Sequence, residues 1–330
     1  MHPRNSADYR TLLWMGAAVA LVVVEYIWSG LVFYLWPLNF YLAMCCGIIA
    51  HNHNHCPIFG NKRLNRVVGH VLTFYYGYPT FVWVPTHNLN HHKHVNRAGD
   101  ATITWRVTDR HNAWVAWSYF FVSAYYQSFP IQAFLKKAQA TKPQLYRRIQ
   151  WQYAIWYTTW LSVLLAGIAL HGLRRGIVLW GLSVGLPALF SIWVIMFFNY
   201  EQHVHTDPWS EHNHSRNFTG RVLNLLLFNN GFHGVHHEQP GLHWSLLPAA
   251  HARIASQIDP ALCQGNLPWF MLKQFVLSCI WPAIGTQQVG RAPFDPPDGH
   301  LTSLATDDVE LGEAGTNIAM ATTPFSPAAG

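Results

Sequence analysis

Four apolar stretches dominate the hydrophobic pattern of this chain. Each is long enough to cross a bilayer, which takes about 20 residues at 1.5 Å of rise per helical residue. They fall at residues 11–36, 38–55, 149–172 and 176–198. The pattern therefore predicts four transmembrane helices in two hairpins, the first turning at 37–39 and the second near 171–176.

The pattern changes outside these stretches. Segment 114–129 is rich in Trp and Tyr, which are typical of the membrane interface rather than of the bilayer core. Beyond residue 285 Pro, Gly, Ala, Thr and Asp predominate, which predicts a disordered tail at 286–330. The sequence thus predicts an all-α integral membrane domain over residues 1–285, with a helical cap outside the bilayer.

Composition supports a membrane protein and argues against a nucleic-acid partner. The chain is 51% hydrophobic and only 11% charged, against roughly 25% charged in ordinary soluble domains. The net charge of +6 comes from Lys and Arg residues that lie between the apolar spans, which is the pattern of a membrane orientation signal. In the two-hairpin arrangement all but Arg174 and Arg175 of the 21 basic residues lie on one side. We expect that side to be cytoplasmic.

Histidine is the anomaly of the composition, with 21 residues that are mostly clustered. Residues three or four apart share one face of a helix, so imidazoles within a cluster can converge on a metal. Two hairpins place every cluster on the same side of the membrane, provided that segment 114–135 lies in the interface and does not cross. The candidate ligands are His51, His55, His87, His91, His92, His203, His233, His236 and His237.

The spacing within the clusters suggests two metals. His87 and His91 are expected to share a helix face, while His92 is turned by about 100° and can serve a second metal. A zinc site needs three or four ligands, and this set exceeds that number, leaving positions open for O2. Imidazole suits Fe, Zn, Cu and Ni alike. The sequence contains no HExxH motif and no CxxC pair among its five cysteines, which argues against a zinc protease or a Cys-ligated zinc.

Acidic residues near the clusters are candidates for orienting the rings, because neutral imidazoles leave the charge of a metal uncompensated. The acids close enough in sequence are Asp100, Glu201, Asp207 and Glu238. Five further histidines can extend the site: His53, His94, His205, His212 and His214. Glu25 lies inside the first span, where an ionisable group is costly. We expect it to have a partner across the bundle, such as a Tyr, Trp or Ser.

The clusters resemble the three histidine boxes of membrane-bound fatty acid desaturases and of their relatives, the alkane hydroxylases, sterol and lipid hydroxylases and carotenoid ketolases. The likeness covers roughly residues 38–251 and consists of HxxxH from His51, HxxxHH from His87 and HxxHH from His233. Such desaturases often carry a further histidine four residues beyond an asparagine that holds a metal-bound water, and Asn199 and His203 fit that spacing. The same stretch is similar to the Asn-Tyr-x-Glu-His of alkane hydroxylases, but its order here is Glu-Gln-His. This departure leaves the subfamily open.

The resemblance implies a non-haem di-iron centre that uses O2 to remove hydrogen from an unactivated C–H bond of a lipid substrate. Two electrons must come from outside. The sequence has no haem-binding HPGG motif and no iron–sulfur cysteine spacing, so a separate donor of the ferredoxin or cytochrome b5 type is expected. The basic groups at 62–66 and 136–148 are candidates to dock it, although contact with anionic headgroups explains the same charges.

Several functions remain open at this point. Fatty acyl desaturation is the leading expectation, and hydroxylation or keto-group formation on an acyl, alkane or terpenoid substrate is the alternative within the same chemistry. A membrane metal transporter is the alternative of another class, but apart from Glu25 the spans are nearly free of ionisable residues. A non-catalytic scaffold is the third interpretation, although all boxes are intact.

Overall fold

The computed structural model describes residues 2–297, which are largely helical. The main helices in chain order are α1 (Asp8–Ile27), α2 (Val32–His55), α3 (Lys62–Tyr76), a π-helix (Val84–His91), α4 (His92–His94), α5 (Ala113–Thr141), α6 (Pro143–His171), α7 (Leu173–Trp180), α8 (Leu186–His203), α9 (Arg221–Leu226), α10 (His233–Glu238), α11 (Leu247–Ile254), α12 (Leu267–Leu272) and α13 (Ser278–Ile280). Strands β1 (Asn217–Phe218) and β2 (Cys263–Gln264) pair in parallel. The all-α prediction is confirmed. Of the tail predicted at 286–330, residues 298–330 lie outside the described residues.

Four helical segments among residues 2–297 are long and apolar enough to cross a membrane. They are Asp8–Ile27, Ser29–His55, Pro143–His171 and Leu173–His203. Segment 114–135, predicted to lie in the interface, belongs to α5 and to none of the four. The arrangement in two hairpins with a cytoplasmic cap stays a prediction.

The first two spans are separated at Trp28, so the turn predicted at 37–39 is wrong. Trp28 leaves the helical region with φ −120° and ψ 72°, whereas Pro37 lies inside α2. Apolar helices tolerate an internal proline because their neighbours can satisfy the backbone group that it frees. The break at Trp28 leaves Asn39 on a buried face, where its amide donates to both carboxylate oxygens of Glu25 at 2.8 and 3.0 Å. The partner of Glu25 is therefore an asparagine and not the expected Tyr, Trp or Ser.

A single glycine joins α6 to α7. Gly172 has φ +80°, a left-handed conformation that glycine adopts without steric cost. The two helices then approach so closely that a Cβ on Gly176 would lie 2.4 Å from the backbone nitrogen of Ile168. Small residues allow such close packing in the bilayer, where helix association depends on van der Waals contact.

The described chain divides into two units by its contacts. The first unit comprises 2–84 and 135–195, and the second comprises 85–134 and 196–297. In the first unit α2 contributes to the core, with Cys45, Ile48 and Ile49 no more than 1% exposed. Polar contacts reinforce this unit, since Ser191 Oγ donates to the carbonyl of Ala43 at 2.8 Å.

The second unit holds the polar loops and short helices. Its core includes four fully buried side chains: Phe218, Phe228, Val235 and Phe270. The β1–β2 pair and these buried side chains hold the segment that leads into α10 in place. Seven of the nine predicted histidine ligands belong to this unit.

Candidate metal centre

The second histidine cluster lies on the π-helix Val84–His91 and on α4, which follows it directly. A π-helix hydrogen-bonds residue i to residue i+5, so residues five apart become neighbours. His87 and His92 are five apart, and their Nε2 atoms lie 3.0 Å from each other. The spacing of an ordinary helix predicted that His87 would share a metal with His91, whereas the structure groups it with His92. The wider helical turn is the physical reason.

Four histidines of the second unit form one group, which we call the four-histidine group. It contains His91, His203, His233 and His237, each of which offers a ring nitrogen within 4.8 Å of the others. Successive Nε2 atoms are 3.1 Å apart between His91 and His203, 2.9 Å between His203 and His233, and 3.0 Å between His233 and His237. The end of the π-helix, the end of α8 and the short helix α10 thus bring their histidines together at one point.

The hydrogen bonds behind two of these rings test whether the group fits a cation. His91 Nδ1 faces the Asp100 carboxylate at 2.8 Å and His203 Nδ1 faces the carbonyl of His214 at 3.2 Å. Both partners accept hydrogen bonds, so both rings carry their proton on Nδ1 when neutral. Their Nε2 lone pairs then face each other at 3.1 Å. Two facing lone pairs repel, and a cation between the rings removes that repulsion.

A second group in the same unit consists of His87, His92 and His236, which we call the three-histidine group. Their candidate ligand atoms also lie within 4.8 Å of one another. The rings of His87 and His236 stack with centroids 6.0 Å apart, and His92 stands edge-on to His236 at 4.9 Å. His91 and His92 are adjacent in sequence but belong to different groups, as do His236 and His237. The doublets therefore place the two groups side by side.

His51 and His55 belong to the first unit, on the last turn of α2. Both are buried, and their ring centroids are 4.9 Å apart. The four-residue spacing does place them on one helix face, as expected. The ring of Trp83 covers His51 with centroids 5.3 Å apart.

Asp100 is the acid that orients a histidine of the four-histidine group. It is fully buried, and besides His91 it accepts hydrogen bonds from Asn96 N at 2.8 Å and from Thr102 N and Oγ1 at 2.7 Å each. Burial by itself raises the pKa of this carboxyl, but its electrostatic interaction and hydrogen bond with His91 and its hydrogen bonds from Thr102 outweigh it, so the pKa lies below its ordinary value. Asp100 is therefore an anion that holds the His91 proton on Nδ1.

The other three predicted acids have different contacts. Glu238 accepts a hydrogen bond from His212 Nδ1 at 2.8 Å, and Asp207 accepts from the backbone nitrogens of Trp209 and Arg291 at 3.0 Å each. Glu201 is fully buried. None of the three touches a histidine of either group by any hydrogen bond recorded within residues 2–297. Asp207 and Glu238 bond to the surrounding loops instead.

Burial and the neighbouring histidines favour neutral, ligand-ready imidazoles. Burial, followed by the charges of His92, His233, His91 and His203, holds the pKa of His237 well below its ordinary value. A neutral imidazole offers a lone pair to a metal, whereas a protonated one offers none. Among the five further candidates, His214 comes close, with its ring centroid 5.6 Å from that of His237.

Asn199, predicted to act through a metal-bound water, lies four residues before His203 on α8. Its amide donates to the hydroxyl of Tyr119 at 3.0 Å. That hydroxyl in turn donates to the backbone carbonyl of Thr102. Asn199 is thus connected to the loop that holds Asp100.

Two supporting residues were not predicted from the sequence. Asn96 adopts φ +61° and its amide donates to the carbonyl of His203 at 3.0 Å. Arg216, 1% exposed, donates to the carbonyls of Glu201 and Val204 at 3.0 and 2.9 Å, which satisfies the C-terminal end of α8. The turn-forming residues from Asn96 to Asp100 could have indicated the role of Asn96, whereas no local pattern indicates the role of Arg216.

The family model described as fatty acid desaturase matches residues 26–264, which is well over half of the chain. No curated protein and no solved structure matches the chain.

Proposed function

This chain belongs to the fatty acid desaturase family, and from that membership we propose that it is an O2-dependent di-iron enzyme that desaturates a fatty acyl lipid. Membership makes it an oxidoreductase of the desaturase and hydroxylase type. The observation that carries the more specific proposal is the pair of facing Nε2 lone pairs on His91 and His203. That arrangement is stable around a cation and repulsive without one.

The four-histidine group supplies the ligands of one proposed iron. For the other, we propose that His51 and His55 join the three-histidine group. Three points support this set: the shared helix face of His51 and His55, the convergence of His87, His92 and His236, and the resemblance to the three boxes. Asn199 is proposed to assist through a water.

The chemistry of the bound irons would be activation of O2 and removal of hydrogen from an unactivated C–H bond. The residues of the chain position that chemistry. Asp100 and the carbonyl of His214 fix the tautomers of His91 and His203, so that lone pairs and not N–H groups face the metal. Buried neutral rings exclude water from the same space.

The reaction must be balanced by an external reductant. Removing two hydrogens from adjacent carbons while reducing O2 to two waters requires two further electrons and two protons. We propose a separate electron-transfer protein of the ferredoxin or cytochrome b5 type as their source. The four apolar helices support a lipid substrate that approaches from the bilayer.

We propose that the histidine groups lie on the cytoplasmic side. The support is the excess of Lys and Arg between the spans. In a variant whose five native cysteines are replaced by Ser, single cysteines introduced at Asn52 and at the exposed Gln239 should both react with a membrane-impermeant thiol reagent only after the membrane is opened. Labelling of the two positions from opposite sides would refute the shared site.

Lipid analysis of expressing cells tests the reaction. Cells that produce the wild-type protein should accumulate acyl chains that have lost two hydrogens, and cells that produce His236→Ala should not. New hydroxyl or keto groups in place of double bonds would establish the alternative within the family. Purified protein should contain iron, and a preparation that contains zinc alone and shows no iron-dependent product formation would refute the oxygenase proposal.

A further inference from the structure

The second unit contains a cavity of about 580 Å³ that none of the predicted ligands lines. Its apolar lining includes six residues: Pro85, Leu89, Ile103, Phe129, Pro130 and Ala133. Ligand pockets of proteins commonly have volumes of roughly 300–1,000 Å³ and mostly apolar walls. The cavity is therefore large enough for a substantial part of an acyl chain.

The cavity lies on the far side of the histidine-bearing helix. Leu89 and Lys93 line it, and each follows a ligand candidate, His87 or His91, by two positions. Two positions correspond to about half a turn, both in the π-helix and in an α-helix. A molecule in this cavity is thus separated from both histidine groups by the helix itself, so the cavity is a site distinct from the metal centre.

The wall of the cavity contains two basic side chains. Lys93 and Arg106 line it, and the guanidinium of Arg106 lies 3.6 Å over the ring of Tyr126. One Arg106 N–H donates to the carbonyl of Asp100 at 3.0 Å, which leaves donors of the five-donor fork for an anion. The one carboxylate in the wall, that of Asp100, is already bonded to His91 and Thr102.

The wall of the cavity also includes the last residue of an exposed aromatic stripe on α5. Phe129 forms part of the wall, and Trp117, Phe121 and Tyr125 precede it at four-residue intervals with exposures of 59%, 69% and 62%. Aromatic side chains in such a stripe are typical of a surface at the membrane interface. A lipid can therefore reach the cavity along this face.

From the volume, the two basic side chains and the apolar lining with its exposed aromatic neighbours, we propose that this cavity binds one anionic amphiphile, with its chain among the apolar residues and its anion held by Arg106 and Lys93. The ligand chemistry is a phosphate or carboxylate on a long alkyl chain. Because Arg106 also bonds to Asp100, an occupant stabilises the segment that orients His91. The site does not depend on the proposed enzymatic function.

Binding of hexadecyl phosphate to the full-length protein in neutral detergent tests the proposal, with hexadecanol as the uncharged comparison. We expect saturable binding at about one site per chain, and at least about tenfold weaker binding of hexadecanol. Arg106→Gln and Ala133→Trp should each weaken the binding of hexadecyl phosphate by a similar factor. Their matched controls are Arg110→Gln, an exposed arginine nearby, and Ala124→Trp, an exposed alanine of α5.

The proposal would be overturned by no saturable binding, by equal binding of the alcohol, or by equal effects of test and control variants that share the wild-type melting temperature. Binding should persist in His236→Ala, and its loss there would assign the anion to the metal centre instead. Competition then identifies the source of the ligand. Displacement by phosphatidylglycerol indicates a bilayer lipid, and displacement by the acyl lipid consumed in cells indicates the substrate.

Discussion

Replacing Asp100 by Asn is the most direct perturbation of the proposed metal centre. The substitution keeps the size of the side chain but puts an NH2 group where one carboxylate oxygen stood. In the wild type that oxygen, Oδ2, accepts hydrogen bonds from both His91 Nδ1 and Asn96 N at 2.8 Å. An NH2 group there would face two donors. His91 can relieve the conflict by moving its proton to Nε2, which removes its lone pair from the metal.

The size of the effect follows from these contacts. A hydrogen bond to a charged group contributes about 1.5–3 kcal/mol, and each 1.4 kcal/mol corresponds to about tenfold in affinity. The metal held by the four-histidine group should therefore bind roughly 10- to 150-fold more weakly. This agrees with the 10- to 100-fold loss that is typical when a partner behind a ligating histidine is removed.

Iron analysis after dialysis against a graded series of chelator concentrations measures the loss. We expect the iron content of Asp100→Asn to fall from about two irons per chain to about one at chelator levels that leave the wild type loaded. The second iron should stay, because the three-histidine group has no contact with Asp100. Asp109→Asn removes the same charge at an exposed position and should leave iron content unchanged. Equal iron retention by Asp100→Asn and the wild type would refute the tautomer argument.

Three further predictions concern single residues. His236→Ala should abolish product formation in a lipid assay, whereas His53→Ala should leave it largely intact because His53 bonds to a backbone carbonyl at 3.3 Å; inactivity of His53→Ala with normal folding would contradict this. Glu25→Leu should lower thermal stability by about 1–3 kcal/mol, because the amide of Asn39 loses its buried acceptor, while Glu25→Gln should be milder; equal melting temperatures for Glu25→Leu and wild type would count against it. Burial lowers the pKa of His214 to about 4, so the unfolded chain binds a proton at this residue more readily than the folded chain below pH 6.5, and stability should fall between about pH 6.5 and 4. Melting temperatures of wild type and His214→Gln across that range measure it, and identical slopes would show that another group is responsible.

The number of spans and the identity of the histidine clusters were predictable because both are local properties of the sequence. A run of apolar residues predicts a span whatever surrounds it, and a histidine four residues from another faces the same side of a helix. The boundaries were less predictable. Pro37 was interpreted as a turn, but packing in an apolar environment keeps it inside α2, and the chain breaks at Trp28.

Which histidines group together depends on a π-helix that the sequence pattern did not predict. The π-helix moves His87 from His91 to His92. Periodicity arguments assume the turn of an ordinary α-helix, and a change from i+4 to i+5 bonding alters which rings meet.

The sequence by itself determined an all-α membrane chain of the desaturase family with clustered imidazoles, because hydropathy and short spacings are carried by neighbouring residues. Only the tertiary structure decided that Asp100 holds His91, that the carbonyl of His214 holds His203, and that a basic cavity lies behind the histidine-bearing helix. The first two relations span 9 and 11 positions of chain, and the meeting of His91 with His203 spans 112. No local pattern encodes such distances, since packing and hydrogen-bond satisfaction of the whole unit select them.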